Sequence, residues 1–177
     1  MQNPHSDMAI DWDATLAYRR HLLSLGLGIA EAMDTAQRGM GLDWPTGLAL
    51  IKRSVEQAKS YPGARIASGA GTDHLTNFNG LTVQDVIAAY EQQIAAIEAC
   101  GGRIILMASR ALAAIAKGPD DYIHVYGTLL RQVREPVILH WLGDMFDPAL
   151  RGYWGSESIH SAMEVCLAVI RENQAKV

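Results

Sequence analysis

Cysteine is scarce: Cys100 and Cys166 are the only two in 177 residues, and both fall on apolar faces of helical patterns. Two thiols make no disulfide framework, so a stapled secreted scaffold is excluded and a reducing cytoplasm is the expected location. Basic runs are absent as well. Lys plus Arg number 15 against 19 Asp plus Glu, a formal net charge of −4. That balance argues against a nucleic-acid partner held through its phosphates. No uninterrupted apolar stretch approaches the roughly 18 residues of a membrane span. Arg103 and Arg110 interrupt the best candidate, Ile104 to Ala116. The opening Met1-Gln2-Asn3-Pro4-His5-Ser6-Asp7 has neither the cationic start nor the apolar core of a signal peptide. Low-complexity stretches and linkers are lacking too, so residues 1–177 are expected to form a single domain.

What is there suits a buried core, with 49% hydrophobic and 19% charged residues. Four short apolar runs bounded by turn residues read as buried strands: Leu27–Met33, Arg65–Gly69, Arg103–Ala108 and Pro136–Leu142. Helical patterns separate them, over Pro45 to Lys59, Thr82 to Ala99 and Asp120 to Val133, with two more at Asp13 to Leu25 and about Ser158 to Asn173. Thr82 and Asp85 make a capping-box signature, Asp43 is a candidate cap, and Gly26 and Gly101 are stop signals. The runs, counted from Leu27, Arg65, Arg103 and Val137, start 38, 38 and 34 residues apart. One strand and one crossover helix every ~35 residues is the βαβ unit, which requires parallel strands.

With those elements placed, particular stretches resemble a known order. They are Ile10-Asp11-Trp12-Asp13 opening a helix, Gly26-Leu27-Gly28 entering a strand, and Pro136-Val137-Ile138-Leu139-His140. The chain resembles the dihydrodipicolinate synthase and N-acetylneuraminate lyase superfamily, class I aldolases on a (β/α)8 TIM barrel. It is more closely similar to an uncharacterised branch, domain of unknown function 993, through Glu31 to Gly41 and Glu135 to Gly155. The resemblance implies an incomplete (β/α)8 barrel spanning strands two to five of eight. Eight units at ~36 residues come to roughly 290, in line with barrels of about 250 residues or more. The chain is therefore expected to hold around half of a barrel, cut at both ends, and to form a homo-oligomer through its open strand edges.

The resemblance also implies chemistry: a lyase acting on a small carboxylate or oxo-acid, with no cofactor. Thr35 stands at the place of a substrate-carboxylate threonine, and His140 at that of a proton-relaying tyrosine. The Schiff-base lysine of the superfamily would fall a few residues past Val177. None of the four lysines present, Lys52, Lys59, Lys117 and Lys176, has the strand-end setting that such a lysine needs.

Barrel enzymes work at the C-terminal ends of their strands. The expected substrate-binding residues are therefore Glu31 and Asp34 after the first run, Asp73 after the second, and Ser109 and Arg110 after the third. Thr35 and His140 are the expected catalytic ones. Glu31, between two alanines, needs a partner, with Arg65 or Arg103 of neighbouring strands as candidates. Arg110 is placed to anchor a carboxylate or to cap Asp120 or Asp121. Asp73-His74 with His140 and Glu31 is a weaker set of metal ligands without paired ligand spacing, so no metal is expected. Trp141, Phe146, Tyr153 and Trp154 form either an aromatic lid or plain packing. A catalytically degenerate barrel with a binding role, and a metal-dependent barrel enzyme, are the alternatives.

Overall fold

The computed structural model describes residues 9–34 and 37–177. Four strands, β1 (Ile29–Glu31), β2 (Ile66–Ala70), β3 (Arg103–Leu106) and β4 (Ile138–Leu139), make one sheet in the order β1-β2-β3-β4. Every pairing is parallel, with Ile29 opposite Ile66, Ser68 opposite Ile104, and Ile105 opposite Ile138. Helix α1 (Trp12–Ser24) precedes β1, and α2 (Trp44–Ala58) and α3 (Val83–Ala99) make the first two crossovers. The short α4 (Arg110–Ile115) and then α5 (Pro119–Gln132) make the third, and α6 (Ile159–Glu172) follows β4. The chain is an α/β structure built on parallel strands.

Local signals act where they stand in the sequence. Asp43 accepts from the Thr46 amide at 2.9 Å and starts α2 ahead of Pro45 at its first turn. Thr82 and Asp85 close a reciprocal capping box on α3. Gly26 ends α1 with φ +73°, and the Leu27 amide reaches back to the Leu22 carbonyl at 3.1 Å. A side chain is strained in that left-handed turn, which is why glycine serves there.

Strand alternation assigns the two faces of the sheet. Ile29, Ile66, Ile104 and Leu106 are buried with the helices, beside Ile51, Ile87, Tyr90, Ile97 and Leu129. Ala30, Ala67, Arg103 and Ile138 occupy the other face and are half-buried or exposed.

Three strands are shorter than the apolar runs suggest, β3 ending at Leu106 rather than Ala108. β1 stops at Glu31 because Ala32 takes φ +51° and turns the chain away. β4 pairs with β3 over two residues, although the His140 amide extends the ladder to the Leu106 carbonyl at 2.9 Å. The helix α4, unexpected from the apolar run before it, is started by Ser109, whose hydroxyl accepts from the Leu112 amide at 2.9 Å.

Candidate functional site

The segments leaving β1, β2 and β3 at their C-terminal ends enclose a cavity of about 210 Å³. Its polar walls are Asp34, Arg38, Thr72, Asp73 and Arg110; Leu75, Phe78 and Met107 supply apolar ones.

After β1, the left-handed turn at Ala32 brings Asp34 into this wall. A non-glycine residue with positive φ is uncommon, and such strain gathers at functional sites. Asp34 is buried; Oδ1 accepts from Arg110 Nη2 at 3.2 Å, while Oδ2 has no partner among the described residues. Thr35 lies outside the described residues.

Arg38, in the short 3-10 turn Arg38–Met40, sends a buried guanidinium towards β2. Nη1 donates to the Gly69 carbonyl at 2.7 Å, and Nη2 to Gln93 Oε1 of α3 at 2.7 Å. Nε and Nη2 together clasp the two oxygens of Asp73. Gln93 completes the knot by accepting from the Gly71 amide at 2.7 Å and donating to Asp73 Oδ1 at 3.0 Å. Its Nε2 also lies 2.8 Å from His74 Nδ1. Burial pushes the His74 pKa down against the opposing pull of Asp73, which favours the neutral ring. Gly69 is required by close approach: a Cβ there would stand 2.6 Å from Met107 Sδ and 2.7 Å from the Ala32 carbonyl oxygen.

At the end of β3, the Ser109 hydroxyl lies 2.6 Å from that of Thr72, so Thr72 stands between Ser109 and the cavity. The Ser109 amide donates to the Tyr153 hydroxyl at 2.9 Å, which in turn lies 2.9 Å from the hydroxyl of Tyr126. Burial raises the pKa of both phenols, so they remain neutral donors and acceptors.

Arg110, one residue further, bridges Asp34 and Asp147, the latter from the loop after β4. Burial works against its charge, and the two carboxylates more than offset that. Its Nη1 has no hydrogen-bond partner among the described residues, and the side chain is about a third exposed. An open donor edge on a positioned guanidinium is the geometry that receives a carboxylate.

Glu31 is a correction to the expected pairing. Its carboxylate points to the helices, where Arg19 of α1 holds it in a fork at 2.7 and 2.9 Å. Ser54 of α2 donates at 2.7 Å and the Ala32 amide at 3.0 Å. Neither Arg65 nor Arg103 is the partner, because alternation puts Arg103 on the opposite face. Glu31 does not line the cavity.

His140 also lies apart from the cavity wall. By alternation it shares the open face with Ile138, and its buried Nδ1 has no partner among the described residues. The caps expected for Arg110, Asp120 and Asp121, belong to α5; Asp121 instead accepts from the Lys117 amide at 2.7 Å. Of the aromatic group, Tyr153 and Trp154 are core residues packed on Tyr122 and Tyr126, while Trp141 and Phe146 are exposed. No three His, Cys, Asp or Glu side chains among the described residues gather as a metal cluster.

Of the expected residues, the structure thus joins Asp34, Asp73 and Arg110 around one cavity and sets Ser109 directly behind it. Arg38, Gln93, Asp147 and Tyr153 are additions. Arg38 stands in a turn between strand and helix, where no periodic pattern marks it, and the others come from distant segments.

The model of a family described as "Protein of unknown function (DUF993)" matches residues 1–177. No curated protein matches the chain.

Proposed function

We propose that this chain, which belongs to the family described as "Protein of unknown function (DUF993)", is part of an aldolase-like (β/α)8-barrel lyase that takes a small oxo-acid. The observation that carries the reading is the convergence of Asp34, Thr72, Asp73 and Arg110, from three successive strand ends, on one cavity of about 210 Å³. Parallel strands in sequential order, with their polar groups gathered at the C-terminal ends, support a barrel-type site. The cavity is of a size for a ligand of a few heavy atoms.

In this reading the free edge of Arg110 binds the substrate carboxylate, and the Thr72 hydroxyl, backed by Ser109, donates to a neighbouring oxygen. Asp34 and Arg38–Asp73 hold the walls in place. His140, on the next strand, is the acid–base candidate from the far side. Thr35 retains the carboxylate-binding role that the resemblance implies. A Schiff base would form on a lysine from outside this set of residues. Lys52, Lys59, Lys117 and Lys176 do not line the cavity, and Lys176 is tied to the Val133 carbonyl at 2.7 Å. The same observation favours, as second reading, a barrel that binds the oxo-acid without turnover.

Calorimetric titration of the chain with pyruvate and with 2-oxobutyrate tests the site. Saturable binding that weakens at least tenfold in Arg110→Ala, with the melting profile preserved, is expected. Absence of binding by either acid, or equal binding by the variant, would overturn the assignment.

A further inference from the structure

His74 follows Asp73 in the segment after β2, and its ring nitrogen Nδ1 lies 2.8 Å from Gln93 Nε2. The other partners of Gln93 decide which way its amide points. Oε1 receives two groups that can only donate, the Gly71 amide and Arg38 Nη2, each at 2.7 Å. Nε2 therefore faces Asp73 Oδ1, at 3.0 Å, and His74. An amide nitrogen donates and does not accept, so His74 Nδ1 is the acceptor of this contact. The ring is thereby held as its neutral Nε2–H tautomer.

A second proton on that ring conflicts with the network. On Nδ1 it sets one N–H group against another. Turning the Gln93 amide over would face its oxygen to Asp73 and its nitrogen to the Gly71 amide and Arg38. Three hydrogen bonds would be lost to gain one. The remaining course is for the imidazolium to leave Gln93 and pair with the Asp73 carboxylate, in competition with Arg38. The charged groups acting on the ring are Asp73 of its own segment and Arg38 of the turn after β1, while α3 presents the neutral Gln92 and Gln93. Burial pushes the His74 pKa below the ordinary 6.5 against the attraction of Asp73, and Arg38 adds to the fall.

We infer that His74 is a positioning residue for the strand-end cleft and its acid-operated release. Neutral, it accepts from Gln93 and completes the Arg38–Asp73 clasp; protonated, it gives up Gln93 and draws Asp73 away from Arg38. Arg38, Gly71 and Asp73 all line the cleft, so the charge on His74 sets the shape of that wall. The folded chain favours the uncharged ring. The clasp is therefore complete at neutral pH and loosens as pH falls from 6.5 towards the lowered folded value. The inference rests on the hydrogen-bond network and is independent of which ligand the cleft takes.

Magnetic resonance of the nitrogen-15-labelled chain between pH 7.5 and pH 5 is the test, with His74→Asn as the comparison. The Asn side-chain oxygen offers an acceptor in place of Nδ1 and does not titrate. Expected in the native chain are the Nε2–H tautomer at pH 7.5 and Gly71 amide and Arg38 Nε signals that share the midpoint of His74, below 6.5. Amide exchange at Gly71 should be equal in the two proteins at pH 7.5 and at least tenfold faster in the native chain at pH 5. An Nδ1–H tautomer, Gly71 and Arg38 signals that ignore the His74 midpoint, or the same pH response in His74→Asn would each overturn the inference. Should the thermal melt show that the variant fails to fold, the tautomer and the shared midpoint in the native chain decide.

Discussion

Arg38 and Asp73 join the ends of β1 and β2 through a two-pronged ion pair in which the arginine side chain is wholly buried and the aspartate about one-quarter exposed. Four of the five guanidinium N–H donors are engaged, since the Gly69 carbonyl and Gln93 each take one more. Removing one member of such a pair leaves a buried charge without a counter-charge. Asp73→Ala is therefore expected to cost about 3 kcal/mol, read as a drop in the urea midpoint. A loss below about 0.5 kcal/mol, the range of ordinary surface substitutions, would show that the pair is not a structural clasp.

Glu31 makes a prediction about pH. Burial alone would raise its pKa, but the Arg19 fork and the Ser54 hydroxyl outweigh it and hold the carboxyl below its ordinary 4.5. A depressed folded-state pKa gives stability that is present above the unfolded value and lost as pH falls through the folded one. The stability difference between the native chain and Glu31→Gln should hold from pH 7 down to about 4.5 and shrink below that. Urea unfolding of both proteins between pH 7 and pH 3 measures it. A difference that is flat, or that grows on acidification, would contradict the pairing.

Gly69→Ala should destabilise the chain by about 1–3 kcal/mol, the usual cost of overpacking. The added methyl would meet both the Met107 sulfur and the Ala32 carbonyl oxygen. Met107→Ala in the same chain should relieve only part of that cost, because a backbone oxygen cannot turn aside as a side chain does. Complete rescue in thermal melts would mean that the Ala32 contact carries no weight.

Borohydride treatment in the presence of pyruvate should leave the mass of this chain unchanged. Its four lysines lie outside the strand-end cavity, and a Schiff-base lysine must be desolvated beside the substrate. An adduct found by mass spectrometry on Lys52, Lys59, Lys117 or Lys176 would reverse that prediction and relocate the chemistry.

Much of the architecture was legible because it depends on local chemistry. Thr82 with Asp85, Asp43 before Pro45, and Gly26 each act on groups within a turn of themselves, so short-range reading finds them. The strand-end rule likewise led to Asp34, Asp73 and Arg110. Partner choice was less legible. Strand neighbourhood points Glu31 to Arg65 or Arg103, yet its partner Arg19 comes from the helix before β1. Arg38 carries no signal in the sequence because a turn has no period, and its burial follows only once α3 supplies Gln93.

By itself the sequence determined the alternation of parallel strands and helices, most of the caps, and the strand-end segments that carry polar groups, because periodicity and capping act over a few residues. Only the tertiary structure decided which charge meets which, and which face each strand residue takes. A one-residue difference along a strand reverses the face, and an ion pair forms between whatever groups packing brings within reach. Hence Glu31 serves the helices, Asp34 and Asp73 serve the cleft, and Arg103 is left on the open side.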